Sequence, residues 1–330
     1  MSRFEDHPPP PPAAPGLRAA ALHLLERANL RTAHAVGLRY RFRLHSLVVP
    51  LGVAVLLAWA AREVGQGDGR LWNWFLLPGV LAGACSVGLF ALRFRLVMAA
   101  IGIDLARRQA LRITTLATFY HFFVPLAAGA DLTKFVKLRG IAPAARPLEL
   151  AGGIVLDHVI GLATLLVMAL VLGLALAPAT LALDLRALGV AAIAGMFGLA
   201  VMLRRRVDAA AAGHGELARE PLRRRELAAA ILLSGLMQCA LAAAVWIGSR
   251  GWAIEVGYLD ILLVLTTSLM LQAIPFNLAG VGAADLAGTG LYLALGLTPA
   301  AALLLVSLLY CYRLLAAVGG GLWDLLPARS

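Results

Sequence analysis

Charge is what this sequence has least of. Asp, Glu, Lys and Arg make up 14% of its 330 residues against 61% for the hydrophobic types, and a soluble domain of that length needs far more charge to cover its surface. Acids are the scarcer sign, 18 against 29 Lys and Arg, for a net charge of +11. That excess does not point to nucleic acid, because the arginines cluster beside apolar runs and no soluble basic domain exists to hold a duplex. Only three cysteines occur, Cys85, Cys239 and Cys311, each inside an apolar run and far from the others. This excludes a CxxC redox pair and a cysteine-rich zinc site. HExxH, GxSxG, Walker A and DxD patterns are all missing, and Gly280-Val281-Gly282 is too short and misplaced for a dinucleotide turn. The expectation is an all-α polytopic membrane protein with no catalytic residue, cofactor or metal of its own.

What the sequence does contain is a series of apolar runs long enough to cross a bilayer, at about His45–Ala61, Trp74–Leu92, Leu148–Ala177, Leu185–Leu203, Leu227–Gly248 and Pro299–Leu326. Trp72, Trp74, Trp252, Tyr258 and Trp323 fall near their ends, where an aromatic belt is expected. Two further runs, Gln109–Ala128 and Leu259–Leu297, break in the same way. The first passes through Pro125 and Gly129 to Asp131; the second passes through Pro275, Asn277, Gly280 and Gly282 to Asp285. Proline removes a backbone donor and glycine tolerates unusual dihedrals, so each segment interrupts a helix. In lipid such backbone survives only where protein or a water-filled cavity covers it. Paired breaks in two halves of a chain point to a midplane transport site.

The basic residues set the expected topology. Arg39, Arg41 and Arg43 place the N-terminus in the cytoplasm, and Arg93, Arg95, Arg107 and Arg108 mark the second link as cytoplasmic. Lys134, Lys137, Arg139 and Arg146 follow the first break and also belong inside, so Gln109–Ala128 must dip in and return instead of crossing. The expectation is six full spans plus two re-entrant or broken hairpins, at about 109–131 and 259–297, in an inverted repeat. Seven or eight full spans is the rival count. Residues 1–16 read as a disordered proline-rich tail, 17–44 as a cytoplasmic interfacial helix or an ordinary solvated one, and 45–326 as one transmembrane domain. A basic cytoplasmic loop is expected at 204–226 and a cytoplasmic tail at 327–330, in a bacterial inner membrane.

An ionisable group near the membrane centre costs about 2.5–3.5 kcal/mol and so needs an explanation. The candidates are Asp131, Lys134, Asp157, Asp285 and Arg313, with His121, Asn277 and Tyr312 beside them. Arg313 stays charged at any reachable pH and needs an anion, for which Asp157 and Asp285 are the candidates. Two readings stay open: an ion pair that fixes helix packing, or a polar cavity in which Lys134 and Arg313 hold an anionic headgroup and the acids balance them.

The set resembles the lysylphosphatidylglycerol synthase transmembrane region, also described as a flippase-like integral membrane family. The resemblance covers about Arg43 to Trp323 and is carried by Pro125…Gly129-Ala130-Asp131…Lys134, Asp157-His158-Val159-Ile160-Gly161, Pro275…Gly280-Val281-Gly282-Ala283-Ala284-Asp285 and Tyr312-Arg313. Relative to the family pattern, alanines thin the first glycine cluster, Lys134 and His158 stand where arginines are common, and Asp285 replaces a glutamate. The soluble aminoacyltransferase domain of full-length synthases is not in this sequence. What the resemblance implies is handling of membrane lipids, moving an anionic phospholipid or isoprenoid-linked lipid between leaflets. The alternatives are a membrane subunit or scaffold of a separate lipid-synthesising enzyme, or an intramembrane lipid transferase.

Overall fold

The computed structural model describes residues 45–64, 74–123, 129–176, 223–252, 254–271, 277–278 and 281–325. The expected tail at 1–16, the helix at 17–44, the span Leu185–Leu203, most of the loop at 204–226, the end at 327–330, and Pro125, Pro275 and Gly280 lie outside them. The described residues form nine α-helices: α1 His45–Val64, α2 Leu76–Ala100, α3 Arg107–Phe123, α4 Gly129–Ile141, α5 Pro147–Leu176, α6 Arg224–Ser249, α7 Tyr258–Met270, α8 Ala283–Ala294 and α9 Pro299–Leu325. Besides a short 3-10 turn after α6, the one other regular element among the described residues is a ladder in which β1, Asn277–Leu278, pairs antiparallel with β2, Val281–Gly282. The protein is all-helical in class. Four helices are long and apolar enough to cross a bilayer, over Leu76–Ala100, Pro147–Leu176, Arg224–Trp252 and Pro299–Trp323.

The helix boundaries follow local chemistry. α5 opens on Pro147, where a missing amide donor costs nothing, and runs thirty residues without another proline. α2 stops at Gly102, which adopts φ +86° and donates to the Ala99 carbonyl, while Ile103 donates to Met98. This corrects the expected end at Leu92: the helix continues to Ala100, so Arg93 and Arg95 lie within it and do not mark an exposed link.

Packing has a regular pattern. α2 and α6 share the most extensive interface; α3 packs on α2, α4 and α9, and α7 packs on α6, α8 and α5. α4 lies on α5, and α8 on α9. Exchanging α2 with α6, α3 with α7, α4 with α8 and α5 with α9 maps each of these pairs onto another or onto itself. The outer surface is apolar: Leu51, Val55, Leu81, Leu148 and Leu286 are each more than 60% exposed, which a bilayer tolerates and water does not. Trp252, expected in an aromatic belt, is instead buried in the apolar core.

One side chain keys the helices together. Tyr312 of α9 enters a slot whose walls are Gly79 and Gly83 of α2 and Gly248 of α6; a Cβ on Gly79 or Gly248 would overlap its hydroxyl. The slot exists only because glycine has no side chain there. Gly79→Ala should destabilise by roughly 1–3 kcal/mol through overpacking, read as a lower melting temperature in detergent. Because the Tyr312 hydroxyl is buried with no hydrogen-bond partner among the described residues, Tyr312→Phe should partly restore that melting temperature. An unchanged melting point for the alanine variant would show that the slot yields.

Candidate functional site

Asp157 is at the centre. It lies about a third of the way along α5, is completely buried, and receives three charged donors. Arg93 of α2 places Nε at 2.9 Å and Nη2 at 2.8 Å from Oδ1, and Lys134 of α4 places Nζ at 3.1 Å from Oδ2. Arg93 Nη1 also donates to Ser234 Oγ of α6 at 3.1 Å. Three helices thus meet at one carboxylate, and Arg93 ties in a fourth, α6. Gly161 stands one helical turn beyond Asp157 on the same face, and a Cβ there would sit 3.0 Å from Arg93 Nη1. The Asp-x-x-x-Gly spacing therefore supplies an anion and the room for its cation together.

The cluster holds two cations and one anion, so it keeps net positive charge in an apolar setting. Aromatic faces offset this: the Arg93 guanidinium lies 4.7 Å from the Phe90 ring centre, and Lys134 Nζ lies 5.2 Å from Phe90 and 5.0 Å from Phe94. Charges this deep are costly unless paired and hydrogen-bonded, and these are.

The acid of each break is the third residue of its helix. Asp131 in α4 meets His158 Nε2 at 2.8 Å, with side chains 41% and 58% exposed. His158 points away from the Asp157 cluster, as neighbours on a helix do. In α8, Asp285 Oδ2 accepts from the Gly282 amide at 2.8 Å, satisfying a helix-start donor. Gly282 in turn pairs with Asn277 through the backbone ladder. A leucine follows each acid, Leu132 at 60% and Leu286 at 76% exposure, directed outward.

Arg313 of α9 lies with its guanidinium 5.6 Å from the Phe122 ring centre and within electrostatic reach of Asp285 and Tyr310. Asp157 is not its partner, since Arg93 and Lys134 hold that carboxylate. Tyr312 is also corrected: it faces the glycines of α2 and α6 and does not join its neighbour Arg313. His121 of α3 lies within electrostatic reach of Asp131 and Lys134 of α4, His158 of α5 and Arg313 of α9. Polar residues of α3, α4 and α5 thereby approach those of α8 and α9.

Two participants escaped the sequence reading. Arg93 was assigned to a link, although the apolar run Leu96-Val97-Met98-Ala99-Ala100 and the stop at Gly102 signal that the helix passes through it. His158 adjoins Asp157 but faces elsewhere on the helix, and its partner Asp131 is remote in sequence. Among the described residues no group of His, Cys, Asp and Glu is arranged to hold a metal ion.

No curated protein matches this chain. The family comparison is decisive where that one is silent, for it spans the helices from α1 into α9 and takes in Asp131, Lys134, Asp157, Asp285 and Arg313. With its profile matched over residues 44–318, the chain belongs to the lysylphosphatidylglycerol synthase TM region family.

Proposed function

We propose that the protein is a flippase-like transporter that moves an anionic phospholipid or isoprenoid-linked lipid between leaflets, without nucleotide chemistry of its own. The observation that carries this reading is the approach of charged groups of α4, α5 and α9 around His121 of α3, with Asp285 of the second break in reach of Arg313, within an apolar helical body. Charge placed there is expensive and is explained by a polar ligand that must pass. The packing pattern, unchanged when the α2–α5 and α6–α9 helices are exchanged, supports an inverted repeat of six full spans and two hairpins. An inner-membrane location with both termini cytoplasmic fits the distribution of arginines.

In this reading Arg313 holds the headgroup phosphate within the membrane, while the tails stay in lipid. Lys134 is bound to Asp157 in the present conformation. Turning it to the ligand requires Arg93, which now meets only Oδ1, to swing over and cover Oδ2 as well. Asp131, His121 and Asp285 line the path, and Asn277 belongs to the turn that closes it. Purified protein in vesicles should speed the loss of a labelled anionic lipid from one leaflet, by a fluorescence-quenching readout, well above protein-free vesicles. The rival, a membrane subunit of a separate lipid-modifying synthase, gives no transfer by the chain alone and a co-purifying enzyme. Absence of transfer at confirmed incorporation would overturn the transporter reading.

A further inference from the structure

The clefts inside the two hairpins differ in kind. Between α3 and α4 lies a groove of about 360 Å³, lined by Gln109, Arg112, Ile113 and Leu116 from one arm and Val136 and Lys137 from the other. That volume falls among those of small-ligand sites. Both stripes follow helical spacing, so the lining is a built face of each helix. The corresponding cleft bounded by α7 and α8 shrinks to about 10 Å³, and Asp285 is its one charged lining residue among those described. The packing pattern is shared between the halves, yet among the described residues the first hairpin carries a basic groove and the second a small cleft with one acid.

The groove is graded by burial. Gln109 is exposed and Arg112 and Lys137 are half-buried, while Ile113 and Leu116, 2% and 1% exposed, form an apolar floor. Gln109 Oε1 accepts from the Ala106 amide at 2.9 Å, which leaves the amide NH2 as the group it presents. Gly140 closes nothing off, since a Cβ there would meet no atom within 4 Å. Among the described residues, no acid lines the groove. Two cations beside an apolar floor suit a molecule with a phosphate at one end and hydrocarbon at the other.

We propose that this groove is a docking site for the phosphate-bearing headgroup of an anionic phospholipid, with Arg112 and Lys137 straddling the phosphate and the first acyl carbons on Ile113, Leu116 and Val136. The proposal deepens the transporter reading and rests on it: the groove would gather lipid from the leaflet that borders α3 and α4 before it reaches Arg313. A soluble phosphate ester shares the headgroup chemistry but has no use for the floor.

Photocrosslinking separates these cases. Full-length protein in nanodiscs would receive a trace of photoactivatable phosphatidylglycerol or, in parallel, photoactivatable phosphatidylcholine, and labelled peptides would be mapped by mass spectrometry. The anionic probe should label the Arg107–Ile141 segment about tenfold more than the zwitterionic one, the scale of one charge-assisted hydrogen bond. Arg112→Gln with Lys137→Gln should remove that preference, Arg112→Lys should keep most of it, and excess unlabelled phosphatidylglycerol should suppress labelling. Equal labelling of wild-type protein by both probes would overturn the proposal and needs no variant to fold. Displacement by millimolar inorganic phosphate would also overturn it, assigning the groove to a soluble phosphate ester. Arg313→Ala protein should still be labelled, so loss of transport and loss of docking are told apart.

Discussion

Asp157→Ala should leave almost no folded protein in the membrane. The substitution removes the one anion beneath Arg93 and Lys134, so two cations remain buried without a counter-charge. Breaking a buried pair in this way costs about 3–5 kcal/mol, a large share of the stability of any domain. Asp157→Asn keeps the shape and restores no charge, so it should fare little better. The triple substitution Arg93→Met, Lys134→Met and Asp157→Leu is the informative partner, because replacing a whole buried ionic cluster by apolar groups is often neutral or stabilising. Membrane abundance and melting temperature in detergent are the measurements. A single Asp157→Ala variant that melts with wild type would mean that the cluster is not the structural anchor described here.

Arg313→Ala should give the opposite outcome: normal abundance with leaflet transfer reduced about 10–100-fold, the equivalent of one or two charge-assisted hydrogen bonds. Asp285 retains its hydrogen bond from Gly282 in that variant, so no helix start is left unsatisfied. Arg313→Lys should recover part of the rate, since an ammonium keeps the charge but loses the planar fork that grips a phosphate. Quenching of a labelled anionic lipid, at matched protein content, measures both. Full transfer in Arg313→Ala would remove Arg313 from the site. Transfer lost together with abundance would place it beside Asp157 as a structural residue.

The two kinds of cluster differ in how far the sequence reveals them. The membrane class, the interrupted runs and the acids at Asp131 and Asp285 are legible because composition and Pro/Gly placement are local signals. Asp157 stands out as a lone acid in a long apolar span, and that too is local. Its partners are not. Arg93 lies 64 residues away and Lys134 lies 23 away, and neither separation says which face of which helix will meet Asp157. Positive charge near a span end carries two meanings, a topology marker or a buried ligand. Arg93 has the second meaning because helix α2 runs on until Gly102 turns it. Tyr312 shows the converse: adjacency to Arg313 suggested a shared site, but a step of about 100° per residue turns neighbouring side chains to different partners.

The fit of Tyr312 among the glycines of α2 and α6 also governs depth. With that ring seated, α9 cannot slide along its neighbours, and the guanidinium one residue later stays at one height in the bilayer. A cargo has to bring its polar end to that level, while whatever trails behind it is never measured. Selectivity should accordingly follow the chemistry of the head and be nearly blind to chain length or unsaturation.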